Sequence, residues 1–370
     1  MKFKLIRFLL GLLPLQNIIL FESKPDLSDN TKAVFDEMLR RGLNQKYKFV
    51  WLLHRSDTPL PDIKNVRSVS YGSLLRFWFR ATSKCLICCN SWVKPMHPKQ
   101  HGFYLSHGTP IKSVRNYYSM PPSIQYCLAA GDGAIPILMH EFNIPREKIF
   151  VCGFPRNDIL THSHRDLHPL FPDCNFQKIF VWYPTFRQSM AGQAVPTHAL
   201  PLLNDPDKAI ALNACARENQ TLIVLKPHFM QDTRQIKALN LSHIRFIDDR
   251  FFVNNHISSY EFVGSCDALI TDYSSIYYDY LLCNKPIALI WEDYEIYKQT
   301  QGFAPGVEDF LSGGEKVYTL EDFQRFIRDV AEGRDNLQAE RNRICDQVNY
   351  ARDEKNTERV VDFILKKLRN

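Results

Sequence analysis

The sequence lacks the loops that several common enzyme classes use to hold their ligands. It contains no Gly-x-x-x-x-Gly-Lys-Ser/Thr motif, and the string Gly131-Asp-Gly133 has no third glycine at dinucleotide-binding spacing. Asp205 and Asp207 imitate a metal-binding Asp-x-Asp, but Pro206 and the helical pattern after it predict a helix start instead. We therefore expect neither P-loop hydrolysis nor hydride transfer, and we expect no cofactor and no metal site.

The ten cysteines show no regular spacing of the kind that indicates a disulfide framework. Most lie in apolar runs, such as the one holding Cys85, Cys88 and Cys89, and no second Cys/His pair follows at a distance that a zinc site requires. This usage predicts buried strands and a reducing cytoplasmic compartment.

Basic residues are concentrated in the first half of the chain. Residues 1–165 contain 23 Lys and Arg against 11 Asp and Glu, whereas the remaining residues contain 23 against 29. The basic residues are scattered through periodic segments and do not form the dense runs or arms of nucleic-acid binders. The charge therefore favours an anionic membrane surface or a phosphorylated acceptor as partner, and we expect no nucleic-acid partner.

The N-terminal segment combines a basic flank with a short apolar stretch. It has no small-residue cleavage site, and Gln16 and Asn17 interrupt the apolar run before it could span a bilayer. Residues 1–16 fit a membrane-associating amphipathic helix, which predicts a peripheral protein on the cytoplasmic face of the cell membrane. A helix that packs on its own domain is the alternative, and the sequence does not separate the two.

Strand and helix patterns alternate along the rest of the chain. Strands are predicted at 17–22, 49–53, 85–89, 103–105, 126–129 and 149–151, and in a second series at 179–183, 222–225, 244–247, 268–270 and 286–291. Helices are predicted at 29–41, 206–218, 275–282, 320–333 and from 335 onward. This alternation predicts an α/β fold with two doubly wound, Rossmann-like domains facing a cleft.

The predicted boundaries follow from a break in this periodicity. Residues 161–176, rich in histidine and proline, read as a linker. We therefore expect an N-terminal domain at 17–165, a C-terminal domain at 175–350 and a final helix at 351–370.

Two polar turns follow strands of the first domain. In the first, Gly108 and Pro110 predict a tight turn after His107 that leaves the backbone open to a ligand. His107 there can accept a proton near neutral pH, and Lys112 can counter phosphate charge. Considered alone, such a histidine is more often a hydrogen-bonded structural residue. The second turn, Gly153-Phe-Pro-Arg156-Asn-Asp158, adds a guanidinium.

Three polar motifs follow strands of the second domain: Tyr183-Pro-Thr-Phe-Arg187, Lys226-Pro-His228 and Thr271-Asp-Tyr-Ser-Ser275. Because the carboxyl ends of neighbouring parallel strands meet at one sheet edge, these motifs are expected to converge. Arg187 and Lys226 can hold phosphates, and His228 can donate a proton to a leaving oxygen. Two serines can open a helix that faces a pyrophosphate, although a plain helix N-cap explains them as well.

These five motifs resemble, in order and spacing, those of the CDP-glycerol glycerophosphotransferase family, which includes teichoic acid primases and polymerases. The resemblance runs from Ile19 to about residue 363. It implies a GT-B-like pair of Rossmann domains, a CDP-linked polyol donor held mainly by the C-terminal domain, and catalytic histidines at His107 and His228.

The implied reaction is transfer of glycerol phosphate or ribitol phosphate from a CDP-activated donor to an acceptor hydroxyl, with release of CMP. The acceptor would be a lipid-linked saccharide or polymer of the teichoic acid or capsular polysaccharide class. His107 would take the acceptor proton, and Asp272 would orient its loop or a donor hydroxyl. The substrate-binding residues would be Gly108, Thr109, Lys112, Arg156, Pro184, Thr185, Arg187, Lys226, Thr271, Asp272, Ser274 and Ser275.

Two other functions remain open at this point. A GT-B nucleotide-sugar glycosyltransferase of surface polysaccharide synthesis would share the two-domain fold. A non-catalytic, membrane-docked binding module would share the basic first half but release no nucleotide. A homo-oligomer is also left open.

Overall fold

The computed structural model describes residues 10–55, 58–162, 164–185, 200–203, 205–228 and 231–369. The chain divides into two compact units. Unit 1 comprises the residues up to Thr109, Tyr118–Asp158 and the residues from Tyr350 onward, and unit 2 comprises Pro110–Tyr117 and Ile159–Asn349.

The strands of unit 1 are β1 (Gln16–Glu22), β2 (Lys48–Leu53), β3 (Val66–Ser70), β4 (Ser83–Cys88), β5 (His101–Tyr104), β6 (Tyr126–Ala129) and β7 (Ile149–Val151). Those of unit 2 are β8 (Lys178–Trp182), β9 (Thr221–Leu225), β10 (Ile244–Phe246), β11 (Ala268–Thr271), β12 (Ile287–Ile290) and β13 (Glu315–Val317).

The helices are α1 (Asp29–Arg40), α2 (Leu75–Thr82), α3 (Ala134–Phe142), α4 (Asn157–His162), α5 (Pro206–Glu218), α6 (Arg234–Lys237) and α7 (Asp249–Asn254). They continue with α8 (Ser259–Ser265), α9 (Ile276–Tyr280), α10 (Tyr294–Thr300), α11 (Leu320–Ala331), α12 (Gln338–Val348) and α13 (Asn356–Arg369).

Each unit is built on one parallel sheet with the doubly wound strand order. In unit 1 the order is β3-β2-β1-β4-β5-β6-β7, and in unit 2 it is β10-β9-β8-β11-β12-β13. In both sheets the order reverses beside the first strand, between β1 and β4 and between β8 and β11. Ligands of such sheets bind outside the carboxyl ends of the strands at this reversal. The predicted fold of two doubly wound α/β domains is confirmed.

The core of unit 1 is aromatic and is completed by the end of the chain. Phe21 and Trp51 stack with ring centroids 5.4 Å apart, and Phe35 packs edge-on against both rings. Helix α13 returns to this unit and buries four aliphatic side chains in the same cluster: Val360, Val361, Ile364 and Leu368. The predicted boundary at residue 165 therefore leaves out a part of the first domain.

The Gly153 turn joins α13 to unit 1. Gly153 has a φ of 78°, and a Cβ placed there would lie 2.0 Å from Oδ1 of Asn356, so a side chain cannot be accommodated. Asp158 then accepts hydrogen bonds from the backbone N–H groups of Asn356 (3.0 Å) and Thr357 (2.8 Å). These bonds satisfy N–H groups at the start of α13 that have no partner within the helix.

Unit 2 incorporates a short segment that comes from the middle of unit 1. Ala304 donates to the Ile111 carbonyl (2.9 Å) and Ser113 donates to the Gly302 carbonyl (3.0 Å), which gives an antiparallel bridge between Lys112 and Phe303. These bonds explain why Pro110–Tyr117 groups with unit 2, although its neighbours on both sides belong to unit 1. The sequence boundaries place this segment in the first domain, and the structure differs from them here.

Most predicted elements are present, with small changes at their ends. Asp205 is the N-cap of α5 and accepts a hydrogen bond from the Asp207 N–H (2.9 Å), as expected for a helix start. The helix predicted at 275–282 is the five-residue α9 followed by a 3-10 turn at Leu281–Cys283. Strands β3 and β13 were not predicted. β3 lies at the sheet edge, and its exposed Arg67, Ser68 and Ser70 hide the apolar pattern of a strand.

The predicted amphipathic segment at 1–16 falls largely on residues 1–9, which lie outside the described part of the chain. Within the described part, no helix combines the length and the apolarity needed to cross a membrane.

Candidate active site

His107 lies on a tight turn directly after β5 of unit 1. Ser106 and Gly108 both have positive φ values, 58° and 134°, and the Ser106 hydroxyl donates to the Gly108 carbonyl (3.0 Å). A positive φ is uncommon for a residue other than glycine, so the turn is tightly constrained around the histidine. The His107 side chain is 61% exposed. The structure thus places the imidazole at a strand end in an accessible position.

A buried carboxylate holds the imidazole. Nδ1 of His107 is hydrogen-bonded to Oδ2 of Asp29, and Nη1 of Arg156 donates to Oδ1 of the same carboxylate at 2.8 Å. Arg156 also donates to the His107 carbonyl (3.0 Å). The side chains of Asp29 and Arg156 are only 6% and 7% exposed. Arg156 was predicted to bind substrate, but in the structure its guanidinium contacts Asp29 and the His107 backbone.

Asn30 ties the same turn to the start of α1. Its side-chain amide donates to the carbonyls of Leu105 (3.1 Å) and Ser106 (2.9 Å), and its Oδ1 accepts from the Arg156 N–H (3.1 Å). Asn30 is completely buried, so these bonds are shielded from water. Sequence reasoning missed both Asp29 and Asn30, because a polar pair at the start of α1 reads as part of an ordinary helix start.

Thr109 ends the portion of the turn that belongs to unit 1. Its side chain is buried, and its hydroxyl has no hydrogen-bond partner among the described residues. A buried hydroxyl without a partner is costly unless a ligand satisfies it. This fits the prediction that Thr109 contributes to substrate binding.

In unit 2 the predicted motifs meet where the strand order reverses. Asp272, which follows β11, accepts hydrogen bonds from the Thr185 N–H at 3.0 and 2.9 Å and from the Tyr273 N–H at 2.6 Å. The Thr271 hydroxyl donates to the Tyr183 carbonyl (2.8 Å). The ends of β8 and β11 are therefore tied together across Pro184, and the Asp272 carboxylate orients the loop around Thr185.

Three basic side chains share one region of unit 2. Burial lowers the pKa of His228, and the positive charges of Lys112 and Lys226 lower it further. Burial also lowers the pKa of Lys112, although the Asp272 carboxylate opposes that shift. Lys226 pairs with Asp249 at 3.0 Å, and its ammonium lies 5.8 Å from the Tyr183 ring centre. Lys112 thus belongs to unit 2 and not to the first domain, where the sequence boundaries place it.

The two serines open a very short helix. Ser275 is the N-cap of α9, but its side chain makes no capping hydrogen bond, and the first turn is closed by the carbonyls of Ser274 and Ser275. A helix of five residues adds little dipole to an anion site. Any contribution of these residues to phosphate binding would come from their hydroxyls. Arg187, the remaining predicted phosphate ligand, lies outside the described residues.

The comparison with known families agrees with the motifs. The family model described as CDP-Glycerol:Poly(glycerophosphate) glycerophosphotransferase matches residues 5–366. A teichoic acid poly(glycerol phosphate) polymerase from Bacillus spizizenii is 24% identical over 326 residues, covering 80% of this chain and 79% of that protein. A teichoic acid glycerol-phosphate transferase from Staphylococcus aureus is 24% identical, with 82% of each chain covered.

Solved structures agree on the fold. The wall teichoic acid polymerase TagF superposes with a TM-score of 0.74 at 20% sequence identity, covering 96% of this chain and 90% of that one. A complex of S. aureus MnaA with UDP is more distant, with a TM-score of 0.55 at 13% identity and coverage of 95% and 96%. The GT-B-like architecture expected from the resemblance is thereby confirmed.

The family match spans nearly the whole chain and includes the turns that hold His107, His228 and Asp272. It confirms the expected activity, transfer of a polyol phosphate from a CDP-activated donor in wall polymer synthesis. The chain belongs to the CDP-glycerol:poly(glycerophosphate) glycerophosphotransferase family.

Proposed function

We propose that unit 2 binds the CDP-linked donor and that His107 of unit 1 takes the proton from the acceptor hydroxyl. The acceptor oxygen forms a bond to the phosphorus that carries the polyol, and the bond from that phosphorus to the CMP oxygen breaks. The acceptor proton passes to Nε2 of His107, and CMP leaves with the electron pair of the broken bond.

The observation that carries this proposal is the group of basic side chains in unit 2. Lys112, Lys226 and His228 lie close enough for both lysines to disfavour protonation of the histidine. Asp249 pairs with Lys226 and Asp272 faces Lys112, yet both lysines still lower the pKa of His228. A bound diphosphate would stabilise the positive charge of this group. The buried Asp272 carboxylate, which faces Lys112, also fixes the backbone of the half-buried Thr185.

Two observations support the role of His107: its side chain is accessible, and one of its two ring nitrogens already has a hydrogen-bond partner. The side chain is largely exposed, and Nδ1 is occupied by the Asp29 carboxylate. Nε2 is therefore the nitrogen that faces an incoming hydroxyl. General-base catalysis of this kind contributes about 10² to 10⁴ in rate.

The test is a donor screen with product analysis. The purified protein is incubated with a lipid-linked saccharide and, separately, with CDP-glycerol, CDP-ribitol, UDP-sugars and GDP-sugars, and nucleotide release is followed with mass analysis of the acceptor. We expect CMP with addition of glycerol phosphate or ribitol phosphate. Release of UDP or GDP would indicate a glycosyltransferase, and no release with any donor would indicate a binding module.

Hydrogen exchange locates the donor independently of turnover. CDP-glycerol without acceptor is expected to protect the segments around 183–185, 226–228 and 271–276, because their backbone groups surround the proposed diphosphate site. Protection confined to residues of unit 1 would contradict the assignment of the donor to unit 2.

We also propose that the acceptor is reached at an anionic membrane, through a surface we call the α2 patch (Tyr71, Leu74, Leu75 and Trp78). Leu74 is 83% exposed and Trp78 is 45% exposed, while the buried residues of α2, Phe79, Ala81 and Thr82, lie towards its C-terminal end. Exposed leucine and tryptophan on one side of a helix suit the boundary between headgroups and acyl chains.

The charge around the α2 patch supports a lipid partner with negative headgroups. Residues 63–109, all in unit 1, contain seven Lys and Arg and no Asp or Glu. The guanidinium of Arg76 lies 4.8 Å from the Tyr71 ring centre, and that of Arg67 lies 5.0 Å from the Phe79 ring centre. Each Lys or Arg near anionic headgroups contributes about 1 kcal/mol to binding.

Vesicle flotation tests the α2 patch. Leu74→Glu with Trp78→Glu should weaken binding to vesicles of phosphatidylcholine and phosphatidylglycerol by about tenfold or more, because burial of one such side chain contributes roughly 1.5–3 kcal/mol. The matched control is Ile210→Glu with Val253→Glu, two exposed apolar residues of unit 2. Unchanged flotation of the patch variant would contradict the proposal. Deletion of residues 1–15 tests the N-terminal segment separately.

A further inference from the structure

We propose that Asp29 is a positioning residue for His107: its carboxylate holds the imidazole in one orientation and one tautomer, with Nε2 available to take the acceptor proton. This role rests on the proposed function, because it requires that His107 acts as the base. Asp29 itself would not touch the substrate. It acts only through the histidine to which it is bonded.

The geometry assigns a different partner to each oxygen of Asp29. Oδ2 bonds to Nδ1 of His107, while Oδ1 accepts from Nη1 of Arg156 at 2.8 Å and from the Asn30 N–H at 2.7 Å. With Oδ1 held at two points, the carboxylate plane cannot turn away from the imidazole. Arg156 holds the other end of the arrangement, since it also donates to the His107 carbonyl.

The backbone at Asp29 is bent to deliver this carboxylate. Asp29 begins α1 with a φ of 63°, in the left-handed region, and its N-cap Ser28 makes no side-chain capping bond to the helix. Aspartate tolerates this region better than most residues, yet the conformation still has a cost. Ser106, next to His107, adopts a similar φ of 58°. Asp29 and the residue that precedes His107 thus both have a strained backbone.

The surroundings keep Asp29 negative. Burial by itself would raise the pKa of its carboxyl, but Arg156 and His107 together hold that pKa well below its usual value. An ionised carboxylate can only accept hydrogen bonds, so the proton on a neutral His107 must lie on Nδ1. When Nε2 takes a second proton, the imidazolium forms against a negative partner that does not itself become protonated.

Asp29→Asn tests this role because it keeps the shape and reverses the hydrogen bond. The amide can donate to Nδ1, which would move the ring proton to Nε2 and remove the base. We expect kcat to fall about 10²-fold or more, with the KM for CDP-glycerol changed less than about twofold. Asp36→Asn is the matched control, because Asp36 lies on the same helix, is 52% exposed and forms an ion pair with Lys32.

Two further measurements separate positioning from a general loss of structure. ¹⁵N NMR of histidine-labelled protein, assigned by the signal lost in His107→Gln, should show the Nδ1–H tautomer in the natural protein and the Nε2–H tautomer in Asp29→Asn. In a His107→Gln background, Asp29→Asn should change the remaining activity by less than about twofold, since residues that act as a unit are not additive. A purely structural role predicts a further loss there.

The outcomes distinguish this inference from the proposed function. Loss of activity in His107→Gln with full activity in Asp29→Asn would overturn the role of Asp29 and leave the proposed function intact. Full activity in His107→Gln would overturn the base assignment and the role of Asp29 with it. If Asp29→Asn melts below the assay temperature, the double variant Asp29→Asn with Arg156→Gln is tested in its place. It removes both buried charges, and removal of a whole ion pair is less destabilising than removal of one partner.

Discussion

The two histidines of the candidate site lie in opposite electrostatic surroundings. His107 in unit 1 is bonded to a buried carboxylate, whereas His228 in unit 2 lies near two lysines that lower its pKa. A negative neighbour favours a histidine that must gain a proton during the reaction. Positive neighbours disfavour a second charge on a histidine until an anion binds beside it. The same residue type at two similar strand ends is thereby suited to two different tasks.

The two regions also differ in how they are built. The His107 turn is fixed by a buried network of side-chain hydrogen bonds from Asp29, Asn30 and Arg156. The basic group of unit 2 gathers side chains from segments far apart in the sequence, and burial already disfavours charge on Lys112 and His228. Under the proposed function, unit 1 holds the proton acceptor in place by hydrogen bonds, and unit 2 supplies lysines whose charge a bound anion would stabilise.

Replacing His107 should have the largest effect on activity. His107→Gln should lower kcat by about 10² to 10⁴ while leaving the affinity for CDP-glycerol unchanged, because the base is lost and the donor site is not. Steady-state kinetics and calorimetry on the same preparation measure both quantities. A loss of less than tenfold would show that this histidine is structural.

Replacing Lys112 should have a smaller effect, and on donor affinity instead of on kcat. A hydrogen bond to a charged group contributes about 1.5–3 kcal/mol, so Lys112→Met should weaken CDP-glycerol binding roughly 10- to 100-fold. Lys237→Met, at an exposed lysine of unit 2, is the control. Normal donor affinity in Lys112→Met would mean that the bridge to Phe303 is the main role of this segment.

The smallest expected effect is a pH dependence of donor binding. The pKa of His228 is lowered in the free protein, and a bound diphosphate would raise it again. Protonation and donor binding then favour each other, so the affinity for CDP-glycerol should increase several-fold as pH falls from the raised pKa of the complex to the lowered pKa of the free protein, by about tenfold in all for each unit by which binding raises the pKa. His228→Asn should flatten this profile. A flat profile in the natural protein would contradict the contrast between the two histidines.

Local patterns predicted the strand ends well and their partners poorly. The turn after β5 was predicted because a strand, a glycine and a proline lie within a few residues of His107. Its partner Asp29 is 78 residues away, after a different strand, and no local pattern connects them. Arg156 was predicted to bind substrate because it is a basic residue at a strand end, and that pattern gives no sign of its contact with the buried Asp29 carboxylate.

The sequence also contained no sign that residues 110–117 belong to unit 2. Residues 110–117 carry no strand or helix pattern, and only their hydrogen bonds with residues 301–304 assign Lys112 to unit 2. Strand β3 escaped prediction because an edge strand buries few of its side chains. The doubly wound fold, by contrast, could be predicted, because each strand or helix is recognisable from its own residues and the two kinds of element alternate along the chain.

The return of α13 to unit 1 has a consequence for synthesis on the ribosome. Val360, Val361, Ile364 and Leu368 belong to the same core as Phe21 and Trp51, so this core stays incomplete until the residues of α13 have been made. The residues of unit 2 end earlier, at Asn349. The strands beside His107 precede those of unit 2 in the chain, yet the unit that holds the basic group of His228 has all of its residues first.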